Sequence, residues 1–262
     1  MPSDHPLAAH PTVNTLVLRL AGPLQSWGLT GQFTRRDTHT QPTKSGVVGM
    51  IAACLGRERG ADISDLAGLR MGVRVDQPGI LLEDYHTISR TDGSTLPTAS
   101  GKKKADLTAI SHRWYLADAV FLVTLTGDRK LLDVVADAID HPVYAPTLGR
   151  RSCAPTGRLN LGVDGRDPET LLKEWPWEAG AVQLNKHSAS PVLDATIEDP
   201  HGDAVIPDVP TSFAPVQRGC GNRRVRHFTV APRHPYPGAV APELSSEGTR
   251  IEHDPMTALE ED

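Results

Sequence analysis

Hydrophobic positions along this chain fall into short β-like runs and two helical stripes. NTLVLRLAG, residues 14–22, is an apolar run rich in β-favouring residues and closed by Gly-Pro, so it predicts a strand. The polar stretch after it, LQSWGLTGQFTRRDTHTQP, holds too much Gly and Thr for a helix. In TKSGVVGMIAACLGRERG, Val47, Val48, Ile51, Ala52 and Leu55 recur with the period of a buried helix face. Thr43 or Ser45 stands where an N-cap belongs, and Gly56 where a C-cap glycine belongs. LRMGVRVDQPGILLEDY reads as a strand pair across a Gln-Pro-Gly turn. Residues 87–112 then turn polar and basic, an insertion poor in core residues. RWYLADAVFLVTLTG predicts a strand. DRKLLDVVADAIDH predicts a helix with Leu131, Leu132, Val135, Ala136 and Ile139 on one face and Asp128 as its cap.

This order is close to a βαββαβ unit, the arrangement of ferredoxin-like and RNA-recognition-motif domains, an α+β class. Its final strand falls in or after the Pro- and Gly-rich PVYAPTLGRRSCAPTGRLNLG and has no single obvious position. AVQLNK, PVLDATIED and RRVRHFTVA are weaker strand candidates that predict a small C-terminal β extension over 164–231. The expected organisation is a loose polar arm over 1–13, the α+β domain over 14–163, the extension, and an acidic disordered tail over 232–262. The arm does not read as a secretory signal.

Composition narrows the classes. With 39% hydrophobic and 23% charged residues among 262, the chain reads as a globular protein. No apolar run approaches the roughly 20 residues that span a bilayer, so no membrane role is expected. Cys54, Cys153 and Cys220 are odd in number and far apart, which suggests neither a disulfide framework nor a zinc site. A reducing cytoplasm fits best. The net charge of −5 is misleading: the last 22 residues hold seven acids against one base, net −6, which leaves +1 for residues 1–240. Within that body the bases cluster, and phosphate contact is local.

Four places offer chemistry, each with a plainer alternative. At PTKSGVVG, Lys44 and Ser45 open a predicted helix, so backbone N–H groups, the helix dipole and the ammonium suit an anion; an ordinary cap with a solvated lysine suits the residues too. In LGRRSC, Arg150 and Arg151 can fork onto phosphates or stack on bases, or sit salt-bridged on a surface loop. Lys102, Lys103 and Lys104, with Arg90 and Arg113, make the insertion basic, although lysine runs are commonly just solvated. Trp27 and Phe33 interleave with Arg35 and Arg36, a pattern for base stacking, while Trp27 suits a core equally well. The sequence holds no phosphate-binding glycine motif, no HExxH and no GxSxG, so neither a cofactor nor a metal is expected. Tyr85-His86 beside the basic insertion is the one arrangement suggesting metal-independent RNA cleavage; a histidine contact to RNA is the plainer reading.

Together, LRLAGPLQSWG (18–28), PTKSGVVGMIAACLG (42–56), DYHT (84–87), YLADAVFLVTL (115–125) and YAPTLGRRSC (144–153) resemble the CasD family of type I-E CRISPR Cascade subunits, in the RAMP superfamily of RNA-binding proteins. The motifs occur in the family's order at similar spacing and cover most of 14–163. The resemblance implies a ferredoxin-like core with a protruding β-hairpin thumb at 87–112. It implies a non-catalytic subunit that grips the 5′ handle of the CRISPR RNA and caps a filament of backbone RAMP subunits. It also implies contact with the large PAM-reading subunit, so that target DNA is met only through the complex. Gln25, Trp27, Lys44, Ser45, Arg150 and Arg151 fall in the matching motifs as handle contacts. Ser152, Arg35, Arg36 and His86, and in the thumb Arg90, Lys102 to Lys104 and Arg113, are further candidates. The alternative is the type I-C counterpart's activity, an endoribonuclease that processes repeat RNA. The arm and the acidic tail lie outside the resemblance.

Overall fold

A computed structural model describes residues 13–28, 34–90, 108–186, 191–215 and 218–233. Phe33, Lys102 to Lys104, residues 1–12 of the arm and residues 234–262 of the tail lie outside these.

The first apolar run forms β1 (Asn14–Ala21), and the first helical stripe forms α1 (Lys44–Cys54). Thr43 caps α1, accepting from Gly46 N, and Gly56 follows it with φ +71, a left-handed conformation that glycine adopts without strain. Between them lie two short strands, β2 (Leu24–Gln25) and β3 (Arg35–Arg36). A short helix, α2 (Ser64–Ala67), precedes β4 (Arg70–Gln77) and β5 (Ile80–Ser89). The run RWYLADAVFLVTLTG is divided: Asp118, with φ +56, separates β6 (Thr108–Ala117) from β7 (Val120–Gly127). Then come α3 (Arg129–Asp140), capped by Asp128, and β8 (Asn160–Asp164).

The C-terminal third departs from expectation. The segment 164–192 contributes helices α4 (Pro168–Glu174) and α5 (Ala181–Lys186), so AVQLNK is helical and not a strand. Six residues are too few for periodicity to separate the two. Strands β9 (Leu193–Glu198), β10 (Ala204–Ser212) and β11 (Gly219–Val230) follow. They do not form a separate extension. They continue the main sheet beside β4, giving seven antiparallel strands in the order β10-β11-β9-β4-β7-β1-β8.

Strand alternation sorts this sheet's faces. Leu16, Leu18 and Leu20 of β1 and Phe121, Val123 and Leu125 of β7 share one cluster with Val47, Val48 and Ile51 of α1 and Leu132 and Val135 of α3. Val17 and Leu122 face the other way, against Leu171 and Leu172 of α4. On that second face Arg74 is fully buried, with its Nε 2.6 Å from Asp76 Oδ1 and its terminal nitrogens donating to the carbonyls of Leu172, Trp175 and Pro176.

The Gln-Pro-Gly turn does not fold β5 back onto β4. Gly79 has φ +73, and β5 leaves to pair with β6 over its whole length, from Ile80↔Ala117 to Ser89↔Thr108. This hairpin is the core of a second sheet, in which β2 and β3 pair with β6. Its described arms therefore start at 80 and 117, well outside the 87–112 expected from polarity.

Candidate nucleic-acid interface

Three of the sequence motifs meet in one place. Helix α1 begins flush on the Trp27 ring: a Cβ on Gly46 would lie 2.7 Å from Trp27 Cε3. Trp27 donates from Nε1 to Gln25 Oε1 at 3.1 Å, and Gln25 Nε2 donates to the carbonyls of Leu20 and Ala119. The LGRR loop closes on the same strand. Ser26 N donates to Leu148 O at 3.0 Å, and a Cβ on Gly149 (φ +92) would sit 1.7 Å from Ser26 O. Only glycine fits there.

The junction leaves a cleft of about 530 Å³, a size suited to a small ligand or one nucleotide and too small for a duplex. Gly28, Arg36, Asp37, Ser45, Arg150 and Arg218 stand on its walls, with Cys220 at its margin. Among the described residues lining it, three of the four charged side chains are arginines.

Arg150 is held rigidly. Its guanidinium carbon lies 4.6 Å from the Tyr115 ring centroid, and it donates to Trp114 O at 3.1 Å and Arg36 O at 2.6 Å. Two of its five N–H donors are thus used, and the remaining three stay in a fixed fork. The same bond to Arg36 O braces β3, whose Arg35 and Arg36 lie parallel to His112 and Arg113 of β6. Arg36, Arg151 and Ser152 are exposed; Arg35 is exposed and pairs with Asp37 at 3.0 Å. Ser45 is half-buried on the wall.

Other expected contacts point inward. Gln25 and Trp27 are fully buried; their motif shapes the floor of the cleft from beneath and does not reach it as a stacking surface. Lys44 is also corrected. Its side chain is 5% exposed, and Nζ lies 2.8 Å from Glu198 Oε1. The helix N-terminus already has its anion: Lys44 N donates to Asp208 Oδ2 at 2.7 Å, and Asp208 in turn takes Arg223 at 2.6 and 2.9 Å. Glu198 Oε2 also accepts from Met71 N at 2.7 Å. Two carboxylates and two cations close this network, so the phosphate role expected of Lys44 is filled from within.

On the hairpin, strand alternation sends Tyr85 and His86 to opposite faces, so they cannot act as a pair. Tyr85 sits edge-on to His112 at 5.4 Å, and His112 Nδ1 is 2.6 Å from Glu83. His86 Nδ1 lies 3.5 Å from Asp84. Arg113 Nε donates to Ser111 Oγ at 3.2 Å, and Arg90 is exposed at the end of β5.

Asp37 and Arg218 had no signal of their own in the sequence, since one follows a noted arginine pair and the other precedes the last strand. Cys220 is the exposed cysteine, and its thiol is raised above its ordinary value chiefly by desolvation, against the field of Arg218. Burial pushes the Cys54 thiol up to about 11. Neither environment makes a nucleophilic thiolate.

The family model for CRISPR-associated protein (Cas_Cas5) matches residues 15–226. The CRISPR system Cascade subunit CasD of Escherichia coli (strain K12) is 34% identical over 204 residues, covering 70% of this chain and 87% of that protein. A chain of a CRISPR RNA-guided surveillance complex superposes with a TM-score of 0.69 at 35% identity, over 84% of this chain and 91% of its own. A crystal structure of a Cas protein gives 0.62, also at 35% identity, over 85% and 100%.

Proposed function

Because this chain belongs to the CRISPR-associated Cas5 family, we propose that it is an RNA-binding structural subunit of a type I-E Cascade that grips the 5′ handle of the CRISPR RNA and catalyses nothing itself. The observation carrying this reading is the cleft where LQSWG, PTKSG and LGRRSC converge, with Arg36, Arg150 and Arg218 on its walls. An arginine fixed by backbone carbonyls, as Arg150 is, meets phosphates and stacks on splayed bases without first losing side-chain freedom. The strand order β4-β7-β1-β8, with α1 and α3 against one face, supports a ferredoxin-like core. The β5–β6 hairpin supports a thumb. Arg35, Arg90, Arg113, Arg151, Ser152 and His86 lie on exposed or half-exposed surface near the cleft or along that hairpin, where they suit a strand of RNA leaving it.

In this reading the chain works in the cytoplasm, caps the backbone RAMP filament, touches the large PAM-reading subunit, and meets target DNA only through the assembly. Anisotropy with the full chain and a cognate repeat-derived RNA tests it. Arg36→Ala with Arg218→Ala lowers affinity and flattens its salt dependence; unchanged affinity overturns the reading. Incubating the chain with the repeat hairpin without metal leaves the RNA intact. Cleavage abolished by His86→Ala would instead make it the processing endoribonuclease.

A further inference from the structure

The cleft is uniform in neither charge nor chemistry. Among the described residues lining it, Asp37 is the one carboxylate, set against Arg36, Arg150 and Arg218. A wall built only to hold phosphate has no use for an anion, which repels phosphate oxygens at close range. Among the described residues, the carboxylate is also not consumed internally. Its side chain is 44% exposed, and it receives Arg35 Nε on Oδ1 at 3.0 Å, an ion pair on the exposed surface. An ionised carboxylate offers about four lone-pair sites on two oxygens, so this bond leaves acceptor capacity on both. The backbone beside it is fixed. Trp27 N donates to Thr38 Oγ1 at 2.9 Å, His39 N donates to Trp27 O at 2.8 Å, and a Cβ on Gly28 would lie 3.3 Å from Asp37 O.

We propose that Asp37 is a specificity-determining residue, reading a single-stranded nucleobase by accepting hydrogen bonds from its Watson–Crick edge while the arginines hold the adjoining phosphates. Bases differ in what they offer a carboxylate. Guanine presents two adjacent donors, N1–H and the N2 amine, which match its two oxygens. Adenine and cytosine each present one exocyclic amine on that edge. Uracil flanks its single N3–H with two carbonyls that repel the carboxylate. The order at this subsite is therefore guanine first, then adenine and cytosine, with uracil last. Once a bound base covers the carboxylate, the wrong base leaves an acceptor without a partner, which is what makes recognition of this kind selective.

The proposal rests on the cleft being the RNA site, and its test separates the two. The full chain is mixed with single-stranded RNA 8-mers of random sequence, and the bound fraction is sequenced for wild type, Asp37→Asn, Arg35→Gln and Arg36→Ala/Arg218→Ala. Wild type enriches one position for guanine over uracil by about 10-fold or more. Asp37→Asn, whose amide donates where the carboxylate only accepted, loses that order and gains uracil at the same position. Arg35→Gln removes the ion pair and leaves the carboxylate, so it keeps the guanine-over-uracil order at that position even where losing an RNA-facing arginine lowers the total bound fraction. If Asp37→Asn keeps the base order, or if Arg35→Gln reproduces its effect, Asp37 only anchors Arg35 and the proposal falls. If the double arginine variant binds the pool as wild type does, the cleft is not the RNA site, and both readings fall together.

Discussion

Lys44 and Arg150 are both bases close to a glycine, each in a motif that carries the sequence's family resemblance, yet the fold puts them to opposite uses. Around Lys44, Glu198 and Asp208 come from the far end of the chain and match every cation and the helix N-terminus. Around Arg150 the fixed partners are carbonyls, which orient a guanidinium without neutralising it. The charge on the first is spent on holding the fold. The charge on the second remains for a ligand. Whether a basic motif binds nucleic acid thus depends on which acceptors the tertiary structure brings to it, and a carboxylate closes a site that a carbonyl leaves open.

The sharpest way to break this contrast is to open the closed side. Asp208→Ala leaves Lys44 N without its acceptor and buried Arg223 with only Glu198, 3.9 Å away, and is expected to destabilise the fold by about 3–5 kcal/mol in urea unfolding. Gly149→Ala attacks the wall of the open side, forcing a Cβ into Ser26 O at a positive φ. It should cost about 1–3 kcal/mol and weaken RNA binding with it, read by thermal melts and anisotropy. Arg36→Ala with Arg218→Ala is the converse case. Stability should stay within about 0.5 kcal/mol, while the slope of log affinity against log salt falls by about 0.7 per lost phosphate contact.

The smallest expected effect concerns an exposed pair elsewhere. Arg57 holds the Asp65 carboxyl below its ordinary value, chiefly through their hydrogen bond. Its stabilisation is present above the unfolded-state pKa near 3.9 and is lost as pH falls through the lower folded value. Solvent screening limits it to about 0.2–1 kcal/mol, measurable as the gap between wild type and Asp65→Asn closing between pH 5 and pH 2.

Locally determined features could be read from the sequence. Thr43 and Asp128 cap the helices expected of them, and β1 ends at its Gly-Pro. What depended on distant partners could not. Ile80 to Leu82 look like core strand, but Gly79 turns them away from β4 into the hairpin, where Ile80 is 72% exposed. The C-terminal strands read as an appendage because nothing local shows that Ala195 will lie beside Arg74 in one sheet. The candidate site divided along the same line. Arg36, Ser45 and Arg150 stood in legible motifs and line the cleft, whereas Asp37 and Arg218 matter only because folding brings them to the same wall.

The Lys44 network joins residues 154 and 164 positions apart, and this has a consequence for synthesis. On the ribosome the first helix and strands emerge long before Glu198, Asp208 and Arg223. At roughly 5–20 residues per second, about 10–35 s pass between translation of Lys44 and of Arg223. Once β7 has paired with β4 and until β9 arrives, the N-terminal part of the sheet exposes the edge of β4 and a lysine that the finished core will enclose. The nascent chain is most prone to mispairing then, and its final fold is sealed by its last strand.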